Sequence, residues 1–287
     1  MEERILPPPF DNDIFSLYQE GIWDDNKINV YINNTKDFAY LNPQPIKDYT
    51  HYTPRVEQLK LADYKSKNDV FQRRFDKIAQ ILNNGYNSLV EIGAGNGEFL
   101  KLVRQMKPHL RLTSIEPDER SLENRLKISD IENYNDIYSR ELDKSKFDII
   151  CFFHVFEHIL EPASFINRIK NLMHNDSIII VEVPSLFDPL ITIYNCQKYK
   201  EFYFQSQHAI VYSHNSLKRI FEYNGFKTLS LINYQRYGLE NHLGWLIHGR
   251  PGGDPVSKKI LKQTNKQYIY EIETSGKTDS VIYVGKL

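Results

Sequence analysis

The sequence predicts an α/β fold in which a doubly wound, mostly parallel sheet carries helices on both faces. Apolar strand-like runs alternate with amphipathic helical segments at intervals of roughly 25 residues, which is typical of parallel strands joined by helical crossovers. A glycine-rich turn follows the first of these strands directly. An aromatic stretch after Pro184 is too polar for a buried strand and too long for a plain loop, so we expect an insertion beside the core.

Composition excludes several classes of protein. The chain has 287 residues, and its 36 basic and 37 acidic side chains nearly cancel, so no nucleic-acid partner is expected. No run reaches the roughly 18 apolar residues of a membrane span, and the start has no apolar stretch of signal-peptide length. The two cysteines are far apart, and no metal-ligating set is identified. We therefore expect a cytoplasmic protein with a small-molecule substrate.

Two regions are expected along the chain. Residues 1–55 are rich in Asn, Asp, Pro and Tyr with weak periodicity, which predicts an N-terminal arm or lid. Residues 56–287 are expected to form the α/β domain, which opens with a helix whose apolar residues recur at three- and four-residue spacings, as at Phe71 and Phe75. Gly85 provides the stop for that helix.

The regular core follows, with each strand leading into a helix. The predicted strands and helices alternate as SLVEI, GEFLKLVRQMKP, RLTSIEP, DERSLENRLKI, FDIICFF, PASFINRIKNLM and SIIIVEVP. Residues 186–215 are expected to be an insertion that faces the acceptor of the reaction. A short helix capped by Gly225 and another strand precede a helical and aromatic segment at 236–273. The final strand, DSVIYVGK, is predicted at the edge of the sheet.

Three glycines at alternate positions, Gly93, Gly95 and Gly97, follow the strand SLVEI. Glycine permits a sharp turn and a close ligand, and the helix that begins near Gly97 offers free N–H groups. With Glu91 the spacing is E-x-G-x-G-x-G, which differs from the dinucleotide pattern G-x-G-x-x-G. A carboxylate at this position favours a cationic or amine ligand over a pyrophosphate. The alternative is a tight turn that binds nothing.

A second acidic residue, Glu116, ends the next strand, about 20 residues beyond the loop, where a carboxylate accepts both hydrogen bonds of a ribose diol. The alternative is an exposed carboxylate stabilised by a helix N-terminus. Taken with Glu91 and the glycines, Glu116 predicts a ligand that contains a ribose.

These motifs resemble those of class I S-adenosylmethionine-dependent methyltransferases, and the segment FDIICFFHVFEHILEPASFINRI is similar to the fourth-strand region of that family. The resemblance implies a Rossmann-like sheet of seven strands, methyl transfer as the activity and S-adenosylmethionine as the cofactor. The residues that it implies in cofactor binding are Glu91, Gly93, Ala94, Gly95, Gly97, Glu116, Pro117, Phe153 and His154.

A later segment, QHAIVYSHNSLKRIFEYNGF, is similar to one in sugar-modifying methyltransferases of bacterial polysaccharide and natural-product pathways. Gln207 stands where those proteins carry Glu, and the cysteine-rich zinc module that precedes their C-methylating members is absent from this sequence. The resemblance therefore implies O-methylation of a sugar or nucleotide-linked sugar. The alternatives are N- or C-methylation of a similar sugar or other small metabolite, and a methyltransferase-like binding protein without turnover.

Transfer to a hydroxyl requires a base, and histidine is the natural choice near neutral pH. The predicted catalytic residues are His208, His158 and His154. Each has a structural alternative, since a buried histidine is often simply hydrogen-bonded and the Glu-His pair at 157–158 is architectural in many relatives. The predicted acceptor-binding residues are Tyr212, Arg236, Asn241 and His242. The arginine and aromatic residues after position 235 equally suit a dimer contact, so a homodimer is also expected.

Overall fold

The computed structural model describes Leu6 and residues 8–45, 67–83, 85–252 and 260–287. In chain order its strands are β1 (Phe15–Gln19), β2 (Asn29–Asn33), β3 (Phe38–Asn42), β4 (Ser88–Ile92), β5 (Arg111–Ile115), β6 (Ile131–Tyr134), β7 (Phe147–Phe153), β8 (Met173–Pro184), β9 (Ile210–Tyr212), β10 (Lys227–Tyr234) and β11 (Ser280–Lys286). Its helices are α1 (Lys67–Ile78), α2 (Glu98–Met106), α3 (Leu122–Arg125), α4 (Pro162–Asn171), α5 (Pro189–Thr192), α6 (Gln197–Tyr203), α7 (His214–Tyr223), α8 (Leu239–His248) and α9 (Lys262–Ser275).

The predicted fold class is confirmed. Seven strands form one sheet in the order β10-β11-β8-β7-β4-β5-β6. Strands β6, β5, β4, β7 and β8 are parallel, and β11 is antiparallel to both of its neighbours. The chain moves outward from β4 to β5 and β6, then returns to place β7 on the other side of β4. This reversal of strand order opens a crevice at the carboxyl ends of β4 and β7, which is where ligands bind in such sheets.

Successive side chains of each strand point to opposite faces of this sheet, so a core forms on each face. In β4, Leu89 joins the cluster that includes residues of α1 and α2, whereas Val90 joins the cluster that includes residues of α4 and α7. Ile149 and Ile150 of β7 divide in the same way. Because successive strand side chains point to opposite faces, an apolar run such as FDIICFF supplies both layers. Helices therefore cover both faces, as predicted.

The position predicted for the last strand is wrong. β11 lies between β10 and β8, and β10 forms the edge. Its residues from Ser280 to Gly285 are all buried. A strand at the edge of a sheet leaves the backbone N–H and C=O groups of one side unpaired. A strand whose residues are all buried is therefore more stable between two strands, where both sides form hydrogen bonds.

A second sheet joins the N-terminal residues to the aromatic insertion. Its strand order is β1-β2-β3-β9, and β3 pairs antiparallel with β9, which lies within residues 186–215. Part of the predicted arm, residues 46–55, and the start of the predicted domain, residues 56–66, lie outside the described residues. The lid role of the arm and the domain boundaries stay predictions.

Among the described residues, no helix has the length and apolar character that crossing a membrane requires.

Candidate active site

The glycine loop after β4 adopts backbone angles that favour glycine. Gly93, Gly95 and Gly97 have φ values of 73°, 49° and 74°. A Cβ atom at Gly93 would lie 2.3 Å from Val155 Cγ2, and one at Gly97 would lie 2.8 Å from Ile128 Cδ1. Beside Gly95 no described atom lies within 4 Å of such a Cβ. Packing therefore fills two sides of the loop and leaves its middle open for a ligand.

The loop and the second acidic motif meet directly. The Gly95 N–H donates to Glu116 Oε2 over 2.7 Å, and the Asp118 N–H donates to Glu116 Oε1 over 2.8 Å. Arg125 Nη1 donates to the Gly95 carbonyl oxygen over 2.7 Å. Glu116 thus fixes the N–H side of Gly95, and Arg125 fixes its carbonyl side. Pro117 follows Glu116 at a half-buried position. Sequence reasoning missed Arg125, since one arginine in a polar helix carries no signal for this contact.

Glu91 is a buried carboxyl group with one unpartnered oxygen. It is 4% exposed, and its Oε2 atom accepts no hydrogen bond from the described residues. Burial raises the pKa of Glu91 to about 8; Arg74 opposes this rise, and the nearby carboxylate of Glu116 adds to it. The group is therefore mostly protonated near neutral pH. A buried carboxyl group with a spare oxygen beside an open glycine loop fits the cationic amino group of a ligand.

Glu91 should make the stability of the protein depend on pH. The unfolded chain releases this proton near pH 4.5, whereas the folded chain holds it up to about pH 8. The folded state binds more protons in that window, so stability falls as pH rises through it. Relative to Glu91→Gln, the wild-type free energy of unfolding should fall by about 2 kcal/mol between about pH 5.5 and about pH 7.5.

Urea unfolding at the two pH values measures this difference. The exposed glutamate Glu123, changed to Gln, is the matched control and should leave the pH dependence of the wild type intact. Identical pH profiles for the wild type and Glu91→Gln would show that Glu91 has an ordinary pKa.

A buried ion pair lies under the site. Arg74 Nε donates to Glu182 Oε2 over 2.6 Å, and Arg74 Nη2 donates to Glu182 Oε1 over 3.0 Å. The guanidinium carbon of Arg74 lies 4.5 Å from the ring centre of Phe153. Sequence reasoning missed both charged residues. The available signals were a carboxylate inside the apolar strand β8 and an arginine on the apolar face of α1, three residues after Phe71.

His154 directly follows β7 and links three charged groups. Its φ value is 57°, which is uncommon for a residue with a side chain. Its Nδ1 atom lies 3.2 Å from Glu157 Oε1, and its Nε2 atom lies 2.8 Å from Glu182 Oε1 and 2.8 Å from Arg236 Nη1. Nε2 either donates to Glu182 or accepts from Arg236. The ring therefore connects the buried carboxylates of the core to the predicted acceptor residue Arg236.

The other two predicted catalytic histidines lie side by side. The ring centres of His158 and His208 are 5.3 Å apart, and His158 Nδ1 bonds to the carbonyl oxygen of Gln207. Burial lowers the pKa of His208 to about 3, and the charge of His158 acts in the same direction. A ring with so low a pKa is a weak proton acceptor near neutrality, so this environment disfavours the general-base role predicted for His208.

Glu157 lies between these histidines and His154. Its burial would raise its pKa, but the neighbouring His158 and His154 lower it to about 2. The carboxylate is therefore ionised, with His154 on one side and the His158–His208 pair on the other. The structure thus brings the three predicted catalytic histidines together around an acidic residue to which sequence reasoning assigned no role.

The predicted acceptor residues separate into two groups. Arg236 reaches the site through His154, and its Nε atom also donates to Asp279 over 3.2 Å. His242 is 1% exposed, its Nδ1 atom lies 2.6 Å from the hydroxyl of Tyr268, and Asn241 is buried beside it on α8. Tyr212 is fully buried. Of the four, Arg236 contacts His154, whereas Tyr212, Asn241 and His242 are buried.

Two further residues complete the placement of the predicted cofactor residues. Phe153 is 7% exposed and packs edge-on against Phe99, with ring centres 4.8 Å apart. Ala94 is also 7% exposed and belongs to the core cluster beneath the loop. Both lie at the carboxyl ends of β4 and β7, in the same core cluster.

Three solved methyltransferase structures resemble this fold. A SAM-dependent methyltransferase from Archaeoglobus fulgidus matches with a TM-score of 0.55 and 17% identity, over 80% of this chain and 99% of that one. The plantazolicin methyltransferase BpumL in complex with SAH matches with a TM-score of 0.52 and 16% identity, over 81% of this chain and 90% of that one. A complex of the Haloferax volcanii Trm112 methyltransferase activator with a putative methyltransferase matches with a TM-score of 0.51 and 12% identity, over 80% of this chain and 97% of that one. At these identities the likeness concerns the fold.

Comparison with curated protein sequences finds no significant match. The sequence does match a family model described as "Methyltransferase domain", and the match spans residues 64–231. That span contains the glycine loop, Glu116 and the histidine cluster, and it covers more than half of the 287-residue chain. The protein belongs to the methyltransferase domain family.

Proposed function

We propose that this protein transfers a methyl group from S-adenosylmethionine to a small polar acceptor, most readily to a hydroxyl of a sugar or nucleotide-linked sugar. The observation that carries the proposal is the hydrogen bond between Gly95 and Glu116, together with the buried Glu91 Oε2 atom, which has no hydrogen-bond partner among the described residues. This arrangement combines an open glycine loop with two acidic groups, as a ligand with both a ribose and an amino group requires.

The residues of the loop and its neighbours fit this cofactor. Each oxygen of Glu116 accepts one backbone N–H and keeps a second lone pair for a ribose hydroxyl. The spare oxygen of Glu91 suits the amino group of the methionine part. Phe153 and His154 border the methyl side of the crevice. When bound, S-adenosylmethionine supplies an electrophilic methyl group on a sulfonium, and the protein orients the acceptor toward it.

The acceptor side is polar and holds both hydrogen-bond donors and acceptors. Arg236 and the histidines 154, 158 and 208 meet there, which suits a polyhydroxyl or phosphate-bearing acceptor. The segment that resembles sugar-modifying methyltransferases contributes His208 to this side. Its serines have another task, because Ser213 accepts hydrogen bonds from Asn215 and Ser216 as the cap of α7. N- or C-methylation of a similar metabolite is the alternative reaction, and the proposed homodimer stays a prediction.

Isothermal titration with S-adenosylhomocysteine tests the cofactor proposal without knowledge of the acceptor. We expect binding near pH 7 that releases close to one proton, because the ligand's ammonium group should ionise Glu91, whose pKa in the free protein is about 8. Buffers of different ionisation enthalpy measure the proton count. Glu91→Gln should release no proton at that site. If the protein does not bind the ligand, it is a methyltransferase-like protein without this cofactor.

Mass spectrometry across a panel of nucleotide sugars and glycans then tests the acceptor. An added methylene raises the product mass by about 14 daltons, which is simple arithmetic for replacing a hydrogen by a methyl group. A mass gain on amine-bearing or carbon acceptors, with none on hydroxyl acceptors, would select the alternative reaction.

A further inference from the structure

We propose that Glu157, His158 and His208 form a binding site for one divalent transition-metal cation. Each residue offers one potential ligand atom, and these atoms all lie within 4.8 Å of one another. The three residues come from the turn after β7 and from the insertion before β9, so tertiary folding assembles the group. No metal ligands are expected from the sequence alone.

Two of these residues carry a buried polar atom that has no hydrogen-bond partner among the described residues. Glu157 is 1% exposed, and its Oε2 atom accepts no hydrogen bond from the part of the chain that the structure describes. His208 Nδ1 is a buried atom that also has no hydrogen-bond partner there. Leaving a buried polar atom unsatisfied costs about 1–3 kcal/mol, and more for a charged group. A shared cation would satisfy both atoms at once.

Hydrogen bonds behind the cluster orient its members as metal ligands are usually oriented. His158 Nδ1 faces the carbonyl oxygen of Gln207, so Nδ1 carries the proton and Nε2 carries the lone pair that a metal would need. His154 Nδ1 faces Glu157 Oε1, and the other carboxylate oxygen, Oε2, has no hydrogen-bond partner among the described residues. Ligating imidazoles and carboxylates typically make such outer hydrogen bonds.

The ligand types select the class of cation. Two imidazoles and one carboxylate suit zinc, cobalt, nickel or iron, whereas magnesium and calcium prefer sites made of oxygen. Bonds of about 2.0–2.2 Å bring the ligands of a tetrahedral ion to about 3.5 Å from one another, so no two ligand atoms need to approach by more than about 1.3 Å. Three protein ligands leave at least one position open for water or an acceptor oxygen.

This site gives His208 a task other than that of a base. Its buried Nδ1 atom, which has no hydrogen-bond partner among the described residues, would bind the cation through its lone pair. The cation would polarise an acceptor hydroxyl and so promote loss of its proton to water, whereas the sequence assigned removal of that proton to a histidine base. That use of the cation rests on the proposed function, but metal binding itself does not.

Cobalt titration of protein stripped with a chelator tests the site. We expect one Co²⁺ per chain, with visible absorption bands of a site of low coordination number, and displacement by Zn²⁺. Removing an outer hydrogen-bond partner of a metal ligand costs about 10- to 100-fold in affinity, so we expect His208→Ala to weaken binding by at least about 100-fold. His109→Ala removes an exposed histidine and should leave Co²⁺ binding unchanged.

Two variants guard against a folding artefact. His208→Cys keeps a metal ligand, so it should bind Co²⁺ and add an intense thiolate-to-cobalt absorption in the near ultraviolet. Glu157→Gln should weaken binding while circular dichroism shows the fold intact. The proposal is overturned if the wild type binds no Co²⁺ or Zn²⁺, or if His208→Ala and His109→Ala bind alike. S-adenosylhomocysteine binding, measured on the same samples, shows separately whether the proposed function stands.

Discussion

Replacing Arg74 with methionine should lower the free energy of unfolding by about 3–5 kcal/mol. Arg74 is 5% exposed, and both oxygens of Glu182 accept hydrogen bonds from its guanidinium group. Burial alone would raise the pKa of Glu182, but Arg74 and His154 hold it well below its usual range, so this carboxylate is ionised in the folded protein. Without Arg74, a buried carboxylate would lose its main counter-charge.

Chemical denaturation measures the effect. Lys101→Met is the matched control, because Lys101 pairs with Glu98 at 3.2 Å on the protein surface, where such a pair contributes less than about 1 kcal/mol. The double variant Arg74→Met/Glu182→Met should recover much of the lost stability, since an apolar pair can replace a buried ion pair. If Arg74→Met is as stable as the control, the pair is not buried in solution.

Glu116→Ala should weaken binding of S-adenosylhomocysteine by at least about 100-fold. The carboxylate holds the Gly95 and Asp118 N–H groups and is placed to accept the ribose hydroxyls. Hydrogen bonds to charged groups contribute about 1.5–3 kcal/mol each, and about 1.4 kcal/mol is a tenfold change in affinity. Loss of two ribose contacts therefore suffices for the expected change.

Isothermal titration calorimetry provides the measurement, with Glu119→Ala as the matched control. Glu119 lies in the same turn and is exposed, so its removal should leave affinity nearly unchanged. Glu116→Gln should fall between the wild type and alanine, because an amide keeps one acceptor oxygen but turns an N–H₂ group toward a backbone donor. Equal affinities for the wild type and Glu116→Ala would mean that the ribose is not held here.

The histidine cluster connects these predictions to the chemistry of the site. Glu182 accepts from Arg74 on one side and faces His154 on the other, and His154 in turn faces Glu157. A chain of charged and polar groups thus runs from the core beneath Phe153 to the proposed cation site. Because each group is oriented by the one behind it, loss of Arg74 should disturb the acceptor side as well as stability.

The sequence alone determined the parts of this protein that depend on local pattern. Alternating strands and helices predicted the parallel sheet, because burial on both faces requires continuous apolar runs such as those of β4, β7 and β8. The spacing of Glu91, the three glycines and Glu116 predicted one ligand loop, because consecutive strand ends meet at the same edge of a parallel sheet. The structure places Gly95 and Glu116 in direct contact.

Only the tertiary structure decided which distant side chains share a site. Arg74 and Glu182 are 108 positions apart, and nothing in either local pattern pairs an arginine of α1 with a carboxylate of β8. Local periodicity likewise did not predict that β11 lies between two strands or that β3 pairs with β9. Hydrophobic periodicity indicates which residues are buried, but not which strands pair. The same holds for His208: its sequence context predicts a general base, whereas the fold places it beside Glu157 and His158, and burial lowers its pKa to about 3. The periodicity of apolar residues determines which face of a helix or strand is buried, whereas packing between distant segments determines which residues that face contacts.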